Sequence, residues 1–287
     1  MLSLVHLKVL AAVARTGSVT EAARELHYSQ PSVSHHLSRL EAATGVKLVQ
    51  RVGRGIRLTP EGRLLAGRAA EILGRVDAAA SELAAQAGLQ AGRVRLAANA
   101  SALSTIVPRA AAALARTYPG IELSLLDRHP VEALQLLRHG EIDIALVFRH
   151  ADAAVEDDGL RLVHVGDDEI YLISRRPDDA LANHRQSAWI GGCDRCRDEL
   201  ITVCRREGFA PRIDSLSDDM VVVQALVAAG AGVTTLPGLA LQAHRRPDIE
   251  ATVIPGFRRQ IYAATYGEPP DPPAVAAVVA ALTETAA

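Results

Sequence analysis

At 287 residues, 49% of them hydrophobic and 22% charged, the chain can bury a substantial core, which excludes a disordered or fibrous protein. Aromatic residues make up only 3%, so the core must rest on Leu, Val, Ile and Ala. Residues 1–60 hold eight Lys and Arg (Lys8, Arg15, Arg24, Arg39, Lys47, Arg51, Arg54, Arg57) against three acids (Glu21, Glu25, Glu41), a net of +5; with −2 overall, the remainder carries −7, so a basic head that suits a polyanion leads an acidic body. The amino terminus, MLSLVHLKVL, lacks the pattern of an export signal, and a cytoplasmic protein with no membrane association is expected. The uncharged run Val221 to Leu241 carries Gln224, Gly230, Gly232 and Pro237 and reads as helix, turn and strand.

Apolar residues at Leu4, Leu7, Leu10 or Ala11, and Ala14 predict a helix over Leu4 to Arg15 that ends at Gly17. Ser18 with Glu21 three residues on is a capping-box pattern for a second helix, whose inner face is Ala22, Ala23 and Leu26. After a tight turn at His27 and Tyr28, Ser29 caps a third helix and Pro31 fits its first turn, where a missing N–H costs nothing. Two short helices joined this closely predict a helix-turn-helix. On a wheel at about 100° per residue, Val33, Leu37 and Leu40 of the third helix face the core. Pro31, Ser34, His35, Ser38 and Arg39 face outward, with Gln30 at the exposed end. Short hydroxyls and amides let a recognition helix sit deep in a major groove and reach base edges and phosphates, whereas an ordinary solvated face would favour Glu or Lys over serine, a poor helix former.

Beyond Gly45, VKLVQRVGRGIRLT predicts two short strands around Gly53-Arg54-Gly55, with Ile56 and Leu58 inward and Arg57 outward. In such a wing Arg51, Arg54 and Arg57 line the phosphate backbone, holding register without reading sequence. The strings GSVTEAARELHYSQPSVSHHLSRLEAATGVKLVQR and RGIRLTPEG resemble the amino-terminal domain of LysR-type transcriptional regulators. VPRAAAALARTYPGIELSL, LRHGEIDIALV and LVAAGAGVTTLP resemble that family's effector-binding domain, so the resemblance spans almost the whole chain. It implies DNA contacts from Gln30, Pro31, Ser34 and His35, and from the wing at Arg54 and Arg57. Many members have Arg where this chain has His35, a departure that bears on the bidentate reading of guanine. With the neighbours Ser32, Ser38, Arg39 and Arg51, these residues form the candidate DNA-binding set.

From Thr59 as cap and Pro60 in the first turn, a long helix is expected as far as Gly88, with Gly62, Gly67 and Gly74 its only breakers. Leu65, Ile72, Val76 and Leu83 recur as a coiled-coil seam that would pair two copies; packing on its own domain is the alternative. The family resemblance implies a dimerising linker, hence a homodimer or homotetramer on double-stranded DNA with approximate two-fold symmetry. RNA polymerase is a further partner if the regulator activates.

After Gly92 strands and helices alternate: RVRLAA, IELSLL and DIALVF around helical SALSTIVPRAAAALARTY and PVEALQLLRHG, then RLVHVG, EIYLIS, AWIG and GVTTLP around helices from near Asp194 and Asp218. QIYAATY and a final helix from Pro273 close the chain. The resemblance implies two α/β lobes like those of type II periplasmic binding proteins, joined by two strands crossing near Val163 to Gly166 and Tyr262 to Tyr266, with a small-molecule effector between them. The fold class expected is therefore α/β: a winged helix-turn-helix (1–59), a linker helix (60–88) and a two-lobed effector domain (89–287; lobe one about 93–163 and 263–287, lobe two about 164–262). Strand ends and helix amino termini supply ligand contacts in such a cleft, where free N–H groups favour an anion. Ser101 starts the first lobe-one helix, at the position of the family's frequent Ser or Thr effector contact; a plain helix cap is the other reading. Asn99, Phe148 and Arg149 join it from lobe one, and Gly192, Cys193 and Thr234 from lobe two.

Cys193-x-x-Cys196 opens a helix with Cys204 two turns on. A helix amino terminus lowers a thiol pKa, which makes all three candidates for redox chemistry; packing as small hydrophobes in a reducing cytosol is the alternative. A structural zinc site wants four ligands and only His184 stands near, so no metal is expected, nor any cofactor beyond the effector. G-x-S-x-G, P-loop and H-E-x-x-H patterns are missing, and an enzyme is not expected. A lone solute-binding protein would explain two lobes but not the basic head.

Overall fold

The helical spacing of the first residues becomes α1 (Leu4–Thr16), α2 (Val19–Glu25) and α3 (Gln30–Thr44) in the computed structural model, which describes residues 2–52, 55–86, 92–150, 159–267 and 269–285. Gly17 and Gly45 end α1 and α3 at φ 64° and 74°, left-handed conformations open to glycine at no steric cost. Ser18 Oγ accepts from Glu21 N–H, and Ser29 Oγ from Ser32 N–H, so both caps form as their sequence positions require. The reciprocal half of the capping box does not form: Glu21 pairs with Arg24 instead. Leu7, Leu10, Val13, Ala22, Val33, Leu37 and Leu40 close one core, joined by Leu48 just ahead of the antiparallel hairpin β1 (Val49–Val52) and β2 (Gly55–Leu58).

The linker helix α4 (Pro60–Gln86) is capped by Thr59 Oγ1, which accepts from Gly62 N–H at 2.9 Å. Its glycines are contact points rather than breaks. A Cβ on Gly62 would stand 2.0 Å from the Leu48 carbonyl oxygen, and one on Gly74 2.6 Å from Gly140 Cα, so the helix backbone lies directly against the head at one end and against lobe one further along. Ala66 and Ala69 are buried against the head, Leu65 is half-buried beside them, and Leu64, Ile72, Val76 and Leu83 are exposed.

A six-stranded mixed sheet, ordered β4-β3-β5-β10-β6-β9, runs through the rest of the chain. Parallel β3 (Gly92–Ala98), β4 (Ile121–Asp127) and β5 (Ile144–His150) belong to lobe one, with α6 (Ile106–Thr117), α7 (Pro130–Arg138) and α11 (Pro273–Thr285). The predicted single helix from Ser101 is broken into α5 (Ala100–Leu103) and α6, because Pro108 has no N–H to donate back across Thr105 and Ser104. RLVHVG and EIYLIS, read as two strands, are one strand, β6 (Leu160–Ser174), and QIYAATY is the end of a 17-residue strand, β10 (Glu250–Tyr266). β10 pairs with β5 over Arg259–Ala264 and with the far end of β6 over Glu250–Val253, so both strands pass from lobe to lobe around residues 166–169 and 254–259. Lobe two adds β7 (Ala188–Gly191), α8 (Asp194–Arg206), β8 (Arg212–Leu216), α9 (Met220–Ala228), β9 (Thr234–Pro237) and α10 (Gly238–Ala243). The uncharged run Val221 to Leu241 falls on α9, a turn, β9 and α10, and no described helix is long and apolar enough to cross a membrane.

Candidate functional site

The head and the cleft between the lobes carry the chemistry. On α3, burial of Val33, Leu37 and Leu40 turns Gln30, Pro31, His35, Ser38 and Arg39 into solvent, with Ser32 and Ser34 half-buried between them. Gln30 Nε2 donates to Ser34 Oγ at 3.2 Å, which aligns two groups able to reach a base edge. Arg57 is exposed on the wing; Arg54 and the side chain of Arg51 lie outside the described residues.

The three acids of the head are all engaged within it. Glu21 pairs with Arg24 and Glu25 with Arg15. Glu41, so far only one of the three acids in the charge count, is buried at the end of α3: it accepts from Leu48 N–H at 2.9 Å, Val49 N–H at 3.3 Å and Lys47 Nζ at 2.6 Å, tying the wing to the recognition helix. Burial opposes its ionisation, but these hydrogen bonds outweigh that and hold its pKa below the usual value. Of the eight cations, Arg15, Arg24 and Lys47 are thereby matched; among the described residues Lys8, Arg39 and Arg57 have no acidic partner. The head's excess positive charge is thus carried by the recognition helix, the wing and Lys8. Behind α3, His6 and His36 lie with ring centroids 5.4 Å apart, and burial, then His36, Arg39 and His35, lower the pKa of His6, so this inner histidine favours the neutral form beneath a cationic surface.

A cleft of about 540 Å³ separates the lobes, a size suited to a small organic molecule. Six of the seven residues expected there line it: Asn99, Ser101, Phe148, Gly192, Cys193 and Thr234. Arg149 does not. Consecutive strand residues point to opposite faces, and with Phe148 turned into the cleft Arg149 is directed away from it. Ser101 is not the helix cap; Asn99 holds that position, and its Nδ2 donates to Ser101 Oγ at 2.8 Å. Thr234 Oγ1 donates to the Ile190 carbonyl at 2.7 Å, fixing β9 to β7 at the cleft wall.

The centre of the cleft floor is a group that sequence reasoning did not find. Arg259, on crossing strand β10, is 3% exposed; its Nε donates to Asp168 Oδ2 and its Nη2 to Ser101 Oγ, both at 2.8 Å, and its guanidinium lies 4.5 Å from the Phe148 ring centroid. Asp168, on crossing strand β6, also accepts from Leu239 N–H at 2.9 Å, an approach that Gly238 leaves open. Burial raises the Asp168 pKa, against the pull of Arg259 and the amides at the start of α10. One ion pair thus joins lobe one at Ser101, both crossing strands, and lobe two at α10. At the cleft mouth His129 Nε2 of lobe one stands 3.4 Å from Asp218 of lobe two.

Cys193 and Cys196 line the same cleft, with Sγ atoms 2.8 Å apart. Cys204 is elsewhere, fully buried in the lobe-two core with Trp189 and Val203, and burial pushes its thiol up to about 12. No group of three or more His, Cys, Asp or Glu arranged to hold a metal occurs among the described residues.

A winged helix-turn-helix joined by a helix to a two-lobed cleft defines a DNA-binding regulator controlled by a small molecule. Residues 4–63 match the family described as bacterial regulatory helix-turn-helix protein, lysR family, and residues 87–287 match the LysR substrate binding domain; the chain belongs to the LysR-type transcriptional regulators, DNA-binding proteins with an effector-binding domain, not enzymes. Similar proteins include the transcriptional regulator TfdS of Cupriavidus pinatubonensis, 31% identical over 84% of both chains, and TcbR of a Pseudomonas species, 27% identical over 96% of both. Among solved structures, CbnR bound to its target DNA has a TM-score of 0.68 at 26% identity, covering 99% of this chain and 100% of that one. A full-length OxyR variant from Pseudomonas aeruginosa shares the fold with a TM-score of 0.76 at 21% identity, covering 98% and 95%.

Proposed function

We propose that the outer face of α3 reads DNA sequence through Gln30, Pro31, Ser32, Ser34, His35, Ser38 and Arg39 while Arg51, Arg54 and Arg57 hold the backbone, and that a small molecule in the inter-lobe cleft controls this binding. The observation that carries the reading is the charge arrangement of the head: its three acids are engaged internally, and the α3 face is left with short polar side chains and a cation. The exposed row Ile72, Val76 and Leu83, continuing from half-buried Leu65, favours pairing α4 with a second copy, giving two heads and a site of approximate two-fold symmetry. The division into residues 1–59, 60–88 and 89–287 follows, with the protein acting in the cytoplasm, and on RNA polymerase where it activates.

In the cleft, Asn99, Ser101, Phe148, Gly192, Cys193 and Thr234 supply contacts from both lobes over the Arg259 floor. A molecule that touches both walls favours the closed arrangement by its differential affinity, and lobe rotation about β6 and β10 is transmitted through the Gly74–Gly140 contact to α4 and the heads. The test is DNA-binding affinity of the full-length protein across a metabolite panel, for wild type and Ser101→Ala. A molecule that shifts wild-type affinity and fails to shift the variant supports the assignment; an equal shift in both removes Ser101 from the site.

A further inference from the structure

We propose that Cys193 and Cys196 are a redox-active dithiol in the cleft wall, with Cys193 attacking a small-molecule disulfide and Cys196 resolving the mixed disulfide that results. This goes beyond effector binding: it makes the lobe-two wall a site of reversible covalent modification. Three arrangements carry it. Cys193 is the N-cap of the 13-residue α8, where its Sγ accepts from Cys196 N–H at 3.4 Å and lies 2.8 Å from Cys196 Sγ, so the two sulfurs already meet on one helical turn. Both face a cleft that admits a small molecule, whereas Cys204 is sealed in the core. Gly192 leaves the pair uncovered: a Cβ there would stand 3.0 Å from Cys196 Cβ and 3.6 Å from its sulfur.

The surroundings divide the roles. The hydrogen bond from Cys196, followed by backbone amides at the start of α8 and the charge of His129, brings the Cys193 pKa to about 6 against the opposing effect of burial. The same sulfur contact, with burial and Glu199, raises Cys196, and Arg259 only partly offsets this. Cys193 is therefore the thiolate, and Cys196 keeps its proton until Cys193 has reacted. In the first step Cys193 Sγ attacks one sulfur of R–S–S–R, forming the mixed disulfide and releasing RS⁻. Consumption of the Cys193 thiolate removes the charge that held Cys196 protonated. Cys196 then gives its proton to solvent and attacks Cys193 Sγ, expelling the second RS⁻. Two electrons pass from the protein to the disulfide reagent, which leaves as two thiols, and the cleft wall loses one negative charge.

The experiment treats reduced full-length protein with oxidised glutathione, blocks residual thiols by alkylation and maps the cysteines by mass. Wild type should gain an internal Cys193–Cys196 disulfide, Cys196→Ser should stop at a glutathione adduct on Cys193, and Cys193→Ser should remain unmodified at Cys196. Trp189 fluorescence verifies that each variant keeps the lobe-two core. Alkylation of Cys193 in the Cys204→Ser protein should follow a pH midpoint near 6 rather than the ordinary thiol value of about 8.5. Failure of the Cys196→Ser protein to trap an adduct, or reaction of Cys193 no faster than an ordinary thiol at neutral pH, would overturn the proposal. Because the readout is on the sulfurs themselves, it is independent of whether any molecule in the cleft alters DNA binding.

Discussion

Replacing Asp168 by Asn isolates what the cleft floor contributes. The change keeps size and one acceptor but leaves Arg259, 3% exposed, with its Nε facing a neutral oxygen. Removing one partner of a buried, hydrogen-bonded ion pair costs about 3–5 kcal/mol, because an uncompensated charge stays behind. For an effector domain of this size, roughly 2–4 °C per kcal/mol converts this to a Tm lowered by about 6–20 °C. Thermal denaturation followed by the fluorescence of Trp189, the single tryptophan and fully buried in lobe two, reads the transition without interference from the head. Arg259→Met alone strands Asp168 in the same way. The double variant Asp168→Asn, Arg259→Met leaves no charge buried at the cleft floor, so its loss should fall well short of the sum of the two single losses. Additive losses, or an Asp168→Asn protein within about 1 kcal/mol of wild type, would show that the ion pair does not hold the lobes together.

Arg57→Ala should weaken DNA binding without changing sequence preference, and lower the log–log salt slope by about 0.9 per head, measured by anisotropy titration over a salt series. Gly62→Ala places a Cβ 2.0 Å from the Leu48 carbonyl, a backbone clash that α4 can relieve only by moving off the head. It should destabilise the protein by at least about 1–3 kcal/mol in thermal melts. Asp179, buried in lobe two, accepts from Asn183, Ser174 and His184; burial opposes its ionisation, but those bonds bring its pKa from 3.8 to about 2. A depressed acid stabilises the fold above its unfolded value, so about 2 kcal/mol should be present above pH 4 and lost as pH falls towards 2. Denaturation midpoints between pH 5 and pH 2.5 should show this loss in wild type and not in Asp179→Asn.

The head was largely legible because its constraints are local. Val33, Leu37 and Leu40 repeat at helical spacing, Ser18 and Ser29 sit where caps must, and Gly17 and Gly45 occupy left-handed ends. Glu41 was missed since its partners arise only when the chain returns at Leu48 and Val49. In the cleft, Asn99, Ser101, Gly192 and Cys193 lie at element junctions that strand and helix patterns mark. Arg149 could have been set aside by strand alternation once Phe148 was turned inward, and the break before α6 by Pro108. Arg259 could not be read: in FRRQ it looks like its exposed neighbour Arg258, and only the register against β6, which places it opposite Asp168, gives it a buried partner. Strand β8, RIDSL, alternates too briefly to stand out from loop.

Whether short side chains on the outer face of α3 read sequence can be measured by selecting DNA from a random-sequence pool with the full-length protein, wild type beside a Ser34→Ala, His35→Ala variant. Wild type should enrich one site with approximate two-fold symmetry, and the variant should lose this enrichment while keeping its salt-dependent, non-specific binding. Enrichment of the same site by the variant would contradict the role of the α3 face, and no enrichment by wild type at modest salt, with or without the metabolite panel, would contradict sequence reading by this head altogether.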